Sequence, residues 1–513
     1  MSTHFDDVQR IVLVGGRWPA ARHLMLDFGE ESRGKEAPLS FLNALLKKHW
    51  PTVAHDSGQD VQFSLGFTRL GLQRVCVPDR VLTCFALKSP AYWAGAAQRA
   101  ASHLGLTDVN AAELWDPMFA HAKLHAVLSI HATKEVCLKG HVENVKALAD
   151  KYGLASQWLP DASSLPAPHG VSSQAGELPS GQWVHFGYRD GLSRIGIKGW
   201  TKADSLKQCL PISQHNAGEF VLGHLPDRGA DPWIAGPGLR VWPEKLRDFF
   251  HNGSFGVLQQ IEQNVTAFEN YVENMAAEKS LSVREIKGKL CGRYPEGQPL
   301  VLPDGPNPAA DFNYVNDPKG FMCPFGSHVR RMNPRVSVED AKNGAVSEDA
   351  LVQFPAHFSR HRPLLRRGMP YGPEWKANKA VNGKYSADDK SRGLIGQFFC
   401  ASIENQFEHL LGEWADRVPL GSPDEGGARD PLIGAHAPGD GPFEIPRPKH
   451  PEDPTKKPDP LRLTGLTPFT RTVGAAYLFY PSLATLCGIA KSRLWSQDHK
   501  DSKDDKVDED YSR

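Results

Sequence analysis

Short apolar runs alternate with amphipathic stretches along the first half of the chain. Ile11 to Val14, closed by Gly15 and Gly16, reads as a buried strand. Gln62 to Phe67 and Leu124 to His131 read as two more, and Val142 to Leu154 as a helix with Val142, Val145 and Leu148 on one face. The second half repeats this style. Phe220 to Leu222 suggests a short strand. Leu258, Ile261, Val265, Phe268, Val272 and Met275 follow the three-to-four spacing of one long amphipathic helix. Ala476 to Tyr480 predicts a late strand and Leu483 to Ile489 a closing helix. Strands with interposed helices, in this order, suit an α+β sandwich with helices on one sheet face.

Three stretches fall outside that pattern. Leu159 to Gln182 is rich in Pro, Ser, Gly and Ala and reads as a loop; Arg417 to Leu461 is crowded with Pro, Gly and Asp and reads as a surface insertion. Residues 496–513 mix Asp, Lys and Glu with almost no apolar positions, the composition of a disordered tail.

Length and charge narrow the function. A chain of 513 residues exceeds one ordinary core, so two domains are expected. Lys plus Arg and Asp plus Glu both number 59, so no broad basic field favours nucleic acid or an anionic membrane. No apolar run approaches the roughly 20 residues that span a bilayer, and the polar start carries no signal pattern, so a cytoplasmic location is expected, with non-classical export the other route. Eight scattered cysteines form no C-x-x-C pair. That leaves His, carboxylates and a bound cofactor to carry chemistry.

Four segments stand out. Gly187 to Gly191 (G-Y-R-D-G) follows the strand-like Trp183 to Phe186 and places the single carboxylate of Asp190 between two glycines, although Asp and Gly also make ordinary turns. Met322 to Arg335 (M-C-P-F-G-S-H-V-R-R-M-N-P-R) sets His328 after a Pro/Gly turn with three arginines behind it. That suits a metal ligand beside an anionic partner, but the chain has 21 histidines. His361 to Gly372 carries Arg366, a permanent positive charge able to face a developing oxyanion or simply to line a solvated basic face. Arg392 to Glu404 is a strand-like run entering a helix whose buried face continues through Phe407, Leu410, Leu411 and Trp414. Glu404 at the junction suits either a helix N-terminal acid or a partner for a buried histidine.

Together, and in this order, these segments resemble the dye-decolorizing peroxidases. Supporting stretches also match: Asp7 to Gln9, Ala217 to Gly223, Asn252 to Phe255 (opening the long helix) and Tyr480 to Leu483, so the resemblance runs from about Asp6 to Ala490. It implies two ferredoxin-like α+β halves of the dimeric α+β barrel type with long surface insertions. Residues 1–200 form the N-terminal half carrying G-x-x-D-G, and 201–495 form the haem-binding half with the 417–461 insertion. It implies one haem b per chain, with His328 as axial iron ligand, Asp190 as distal acid/base and Arg366, first of the R-R-G pair, as distal arginine. Glu404 matches the acid that accepts a hydrogen bond from the ligand histidine. Leu192-Ser193-Arg194-Ile195 departs from the usual Ile-Ser-Gln-Pro and reshapes the distal entrance. The partners implied are hydrogen peroxide and small or bulky organic reductants, with a homo-oligomer compatible and an acidic activity optimum expected. Tyr371, or Trp375 nearby, would relay electrons to donors too large for the pocket. The alternative from another class is a haem-handling protein that binds, delivers or strips haem. Its turnover would be incidental, and it would need no distal acid.

Overall fold

A computed structural model describes residues 5–491 except 15–17, 31–33, 54–57, 169–182, 194, 208, 210–212, 228–232, 234–243, 305–311, 334, 336–361, 381–382, 417–428, 438–439 and 449–458. The charged tail expected at 496–513 therefore lies outside the described residues, as does Arg194.

Strands from both halves join in one ten-stranded sheet. The N-terminal half contributes Ala20–Asp27, Val61–Phe67 and Ala126–Ala132, all antiparallel, with Ala155–Trp158 and Ala162–Ser163 paired to the first. The C-terminal half contributes Ser254–Gln263, flanked by Thr470–Tyr480 and Gly393–Cys400. The sheet closes on itself because Met369–Tyr371 pairs with Ala162 on one side and with Gly393–Cys400 on the other, while Phe479 meets Phe67 at the second seam. The resulting α+β barrel matches the expected class.

Period-two alternation sorts the strand residues by face. Leu24, Phe63, Leu65, Leu128 and Ile130 share one face in register, and His23, Gln62, Ser64, Ser129 and His131 share the other. The second face is the barrel interior. Ser129 Oγ bonds His23 Nδ1 at 2.8 Å and accepts from Gln397 Nε2 of the opposite half at 2.9 Å.

Several expectations need correction. Ile11 to Val14 is not a strand: Arg10–Leu13 is one helical turn, and the first strand is Ala20–Asp27. Both bury an apolar run, which periodicity over four residues cannot tell apart. The long helix expected from Leu258 to Met275 is a strand, Ser254–Gln263, followed by a helix, Val265–Lys279; Leu258 and Ile261 belong to the strand. Asn264 caps that helix by accepting from Ala267 N, which marks the break. Asn252 to Phe255 accordingly opens a strand. Phe220 to Leu222 is a buried turn after a short 3₁₀ segment, not a strand. The strand Thr470–Tyr480 includes the expected Ala476 to Tyr480 but starts six residues earlier, and the helix Leu483–Ala490 lies where the pattern predicted it.

Candidate functional site

His328 opens a short helix, His328–Met332, whose position is set by the helix Val283–Cys291. A capping box at Ser282 and Glu285 starts the latter helix, and Gly292 ends it at φ 92°. Ser327 Oγ then donates to Lys289 O, and a side chain at Gly292 would press on Cys323, Ser327 and Val329. Arg330 ties the preceding loop together through Asp317 at 2.9 Å and Cys323 O at 2.6 Å.

The partner of His328 is not Glu404. His328 Nδ1 donates to Asp430 Oδ2 at 2.9 Å, and Asp430 is fully buried. Its other oxygen accepts from the N–H groups of Leu432 and Ile433, at 2.9 and 3.1 Å. His328 and its N–H contacts hold the Asp430 carboxyl below the ordinary carboxylate range despite burial, with Arg331 adding its charge. Asp430 thus acts as an acceptor only, and the His328 proton is fixed on Nδ1 with Nε2 left for a metal. Glu404 instead accepts from Ala91 N at 2.7 Å and Ser89 Oγ at 3.1 Å, joining the Ile403–Ala415 π-helix to the N-terminal half. It lies at the first turn of that helix, where Ser402 caps it, and this is the helix-terminal role its position also suggested. The stretch read as a pure surface insertion contains the buried Asp430, held where Ala415 O accepts its N–H at 2.7 Å.

The turn bearing Asp190 hangs from the same helix. Tyr188 Oη donates to Lys287 O at 2.9 Å, and Arg189 N donates to Pro295 O at 2.8 Å. Gly187 and Gly191 sit at φ 80° and 75°, conformations that favour glycine, so the flanking glycines are required by the backbone. His185 Nε2 bonds Tyr371 O at 2.8 Å, joining this turn to the strand that follows Arg366. Asp190 itself is half-buried.

Arg366 ends the short strand Leu365–Arg366, and Arg367 follows it. Arg366 pairs with Phe398 and is exposed. Arg367 turns inward and donates to Ile11 O and Val12 O, each at 3.0 Å. Burial, with Arg335 and Arg366 adding repulsion, pushes the Arg293 guanidinium down to about 10. Arg293 and Arg335 also lie 4.8 and 4.3 Å from the Phe312 ring. Sequence reasoning did not single out Arg293; its signal was only a cation just beyond a glycine-ended helix.

The relay candidates separate as well. Tyr371 is 1% exposed, so a bulky donor cannot reach it directly, because its strand is the one that closes the barrel. It underlies a cleft of 350 Å³ with Asp161, Ser163 and Ser391. Trp375 is half-buried, bonds Thr266 Oγ1 at 3.2 Å and meets Tyr385 edge-on at 5.1 Å.

These residues fit a haem. A neutral histidine with one nitrogen committed to a buried carboxylate is the form that ligates iron. Arg335 and Arg366 both repel the Arg293 guanidinium, a local excess of positive charge that suits an anionic group such as propionates. Fold and site thus define a closed α+β barrel with a histidine hydrogen-bonded to a buried aspartate.

No family model matches the chain. The dye-decolorizing peroxidase msp1 of Mycetinis scorodonius is 24% identical over 445 residues, which cover 82% of this chain and 75% of that protein. The dye-decolorizing peroxidase of Exidia glandulosa is 22% identical over 511 residues, covering 95% and 87%. Among solved structures, the fungal DyP-type peroxidase of Auricularia auricula-judae shares the fold with a TM-score of 0.68 at 20% identity, over 96% of this chain and all (100%) of that one. Over most of its length the chain is similar in sequence to dye-decolorizing peroxidases, and it shares their fold. Among the described residues, no helix is long and apolar enough to cross a membrane.

Proposed function

We propose that the chain is a haem b peroxidase, one haem per chain, that uses hydrogen peroxide to oxidise phenols, dyes and other one-electron donors. The observation that carries this reading is the His328–Asp430 pair: a histidine at 22% exposure whose Nδ1 is bound to a carboxylate with none. Haem, when bound, supplies the iron that takes up the oxidising equivalents of peroxide.

His328 would hold the iron through Nε2. Asp430 fixes the ring tautomer and, by drawing on the Nδ1 proton, makes the imidazole a stronger donor. Arg293 and Arg335 would face the acidic edge of the group. On the peroxide side, Asp190 takes the proton from one peroxide oxygen and returns it to the other, so that water leaves. Arg366 cannot titrate near neutrality and stabilises the negative charge that builds on the departing oxygen. Donors too large for the pocket would be oxidised at Trp375 and Tyr385, with Tyr371 an inner step.

A related dye-decolorizing peroxidase binds 2,6-dimethoxyphenol, and another has had its heme pocket engineered for sulfoxidation; both support the assignment. The test is to load the purified protein with haem, titrate it to a one-to-one endpoint, and measure turnover with peroxide against an anthraquinone dye, 2,6-dimethoxyphenol and Mn(II). Haem that binds but stays inert towards peroxide would overturn the enzyme reading in favour of haem handling.

A further inference from the structure

Tyr385 is fastened to the helix Val265–Lys279 by its backbone and its side chain together. Tyr385 N donates to Asn270 Oδ1 at 2.8 Å, and Asn270 Nδ2 donates back to Tyr385 O at 3.1 Å. One turn further along the helix, Glu273 Oε1 accepts from the Tyr385 hydroxyl at 2.6 Å. A tight hairpin keeps the tyrosine in that register, with Ala380 N donating to Lys384 O at 2.8 Å and Ser386 N to Asn378 O at 3.0 Å. A phenol bonded this closely to a carboxylate is a charge-assisted pair with its donor and acceptor fixed in advance.

The surroundings keep Glu273 an acceptor. Lys379 Nζ lies 2.8 Å from the same oxygen and 4.9 Å from the centre of the Tyr385 ring. Burial works to raise the Glu273 carboxyl, but the hydrogen bonds from Lys379 and Tyr385 outweigh it and hold the group below its ordinary range. Lys287, on the next helix, spends its charge on Glu269 at 2.6 Å, one turn before Glu273. Burial and the bond to Glu273 push the Tyr385 phenol up, so it keeps its proton at rest. Glu273 and Lys379 are 28% and 49% exposed, which opens the pair to solvent. On its other side Tyr385 meets Trp375 edge-on at 5.1 Å. Trp375 packs in turn on the apolar cluster that contains Phe186 and Tyr188 of the Asp190 turn, against which Val329, next to His328, also packs. Tyr385 is thus the outer end of packed side chains that begin at the site.

We propose that Tyr385 and Glu273 form a proton-coupled oxidation site at the surface, in which Glu273 takes the phenolic proton as an electron leaves Tyr385 for an oxidised Trp375. This rests on the peroxidase reading, in which peroxide supplies the oxidising equivalent. The Tyr385 O–H bond breaks, Glu273 becomes a carboxylic acid, Trp375 regains its electron, and Tyr385 is left as a neutral phenoxyl radical. A phenol or dye at the surface then returns one electron and Glu273 returns the proton, while the proton of the oxidised phenol passes to water. A base already in bonding contact spares Tyr385 the formation of a charged, strongly acidic radical.

The test compares haem-loaded wild type, Glu273→Gln and Tyr385→Phe, each mixed with stoichiometric hydrogen peroxide without a donor and freeze-quenched for electron paramagnetic resonance. Gln keeps an oxygen for the Tyr385 hydroxyl but cannot take its proton. Wild type should show a tyrosyl signal that Tyr385→Phe loses and that forms more slowly in D2O. In Glu273→Gln that signal should form about 10²-fold more slowly, with a tryptophanyl signal in its place and a lower turnover of an anthraquinone dye. A tyrosyl signal that forms at the wild-type rate in Glu273→Gln would overturn the proposal alone. So would one that survives Tyr385→Phe, or a wild type that reacts with peroxide and yields no tyrosyl signal. A haem-loaded wild type whose absorption spectrum peroxide leaves unchanged would overturn the peroxidase reading as well.

Discussion

Lowering the pH from 7 to 4 asks the folded protein to keep several imidazoles neutral that the unfolded chain would protonate. His23 and His131 meet inside the barrel with ring centroids 5.5 Å apart, 1% and 3% exposed. Burial holds His131 and His185 down to about 4 and His23 well below its ordinary value. Burial, with His141 and Lys48 adding repulsion, also holds His49 down to about 4. Their unfolded values lie near ~6.5. Folded values are depressed, so the unfolded chain binds more protons between about pH 6.5 and 4, and stability falls as the pH drops through that window. His131, His185 and His49 each cost about 3 kcal/mol by pH 4, and His23 adds to the loss. Glu219 works in the opposite sense: burial pushes its carboxyl up to about 7, so acidification from 7 towards its unfolded value adds stability and offsets roughly one histidine. The balance is a loss of about 5–10 kcal/mol, comparable to a whole folding free energy. Urea midpoints measured from pH 7.5 to 4 should therefore be level above 7 and fall steeply below 6. His131→Gln should reduce the slope by about one proton in that range. A flat profile from pH 6.5 to 4.5, or an unchanged slope in His131→Gln, would refute the argument. An acidic optimum for turnover would then coincide with the range in which the fold is weakest, and activity at pH 4 should decay with time of incubation.

Other outcomes follow from the site. His328→Ala should lose stoichiometric haem, which pyridine haemochrome assay and the absorption spectrum of the purified variant check. Asp190→Asn keeps the side-chain shape but cannot carry a proton, so stopped-flow bleaching of the resting haem spectrum by peroxide should slow by ~10²–10⁴-fold at unchanged haem content. Tyr371→Phe/Trp375→Phe should leave that peroxide step intact while lowering turnover of a bulky dye more than that of a small phenol. Equal dye rates in the double variant and wild type would point to direct access at the haem edge.

Much of the fold was legible because period and punctuation agree over its later strands. Thr470–Tyr480 and Gly393–Cys400 are long and apolar, and Ser482 stands at the start of the closing helix as a cap that accepts from Thr485 N. The errors came where two elements abut without a glycine or proline between them. Leu258 and Ile261 point from a strand and Val265 and Phe268 from a helix, yet their spacing mimics one helical stripe across the junction at Asn264. Ile11 to Leu13 failed for the opposite reason, being too short for any period to show.

The site divides along a different line. His328, Asp190 and Arg366 lie in compact motifs whose neighbours do local work: Gly187 and Gly191 supply the turn, and Ser327 ties the start of the His328 helix to the helix before it. Local work leaves a local signature. Asp430 has none, because its partner is 102 positions away and its flanks, Gly-rich on one side and Pro-rich on the other, look like any exposed loop. What makes it a site residue is the end of the Ile403–Ala415 helix, whose terminal carbonyl receives both Asp430 N–H and Arg331. Glu404, by contrast, sits in a strong motif and was assigned the same role, yet its carboxylate is taken up by Ser89 and Ala91 in the other half of the chain. A motif can mark a residue for holding two halves together as readily as for chemistry. Only the hydrogen-bond partners distinguish the two, and here they give His328 its acid from the loop and make the motif's Glu404 a tie to the N-terminal half of the chain.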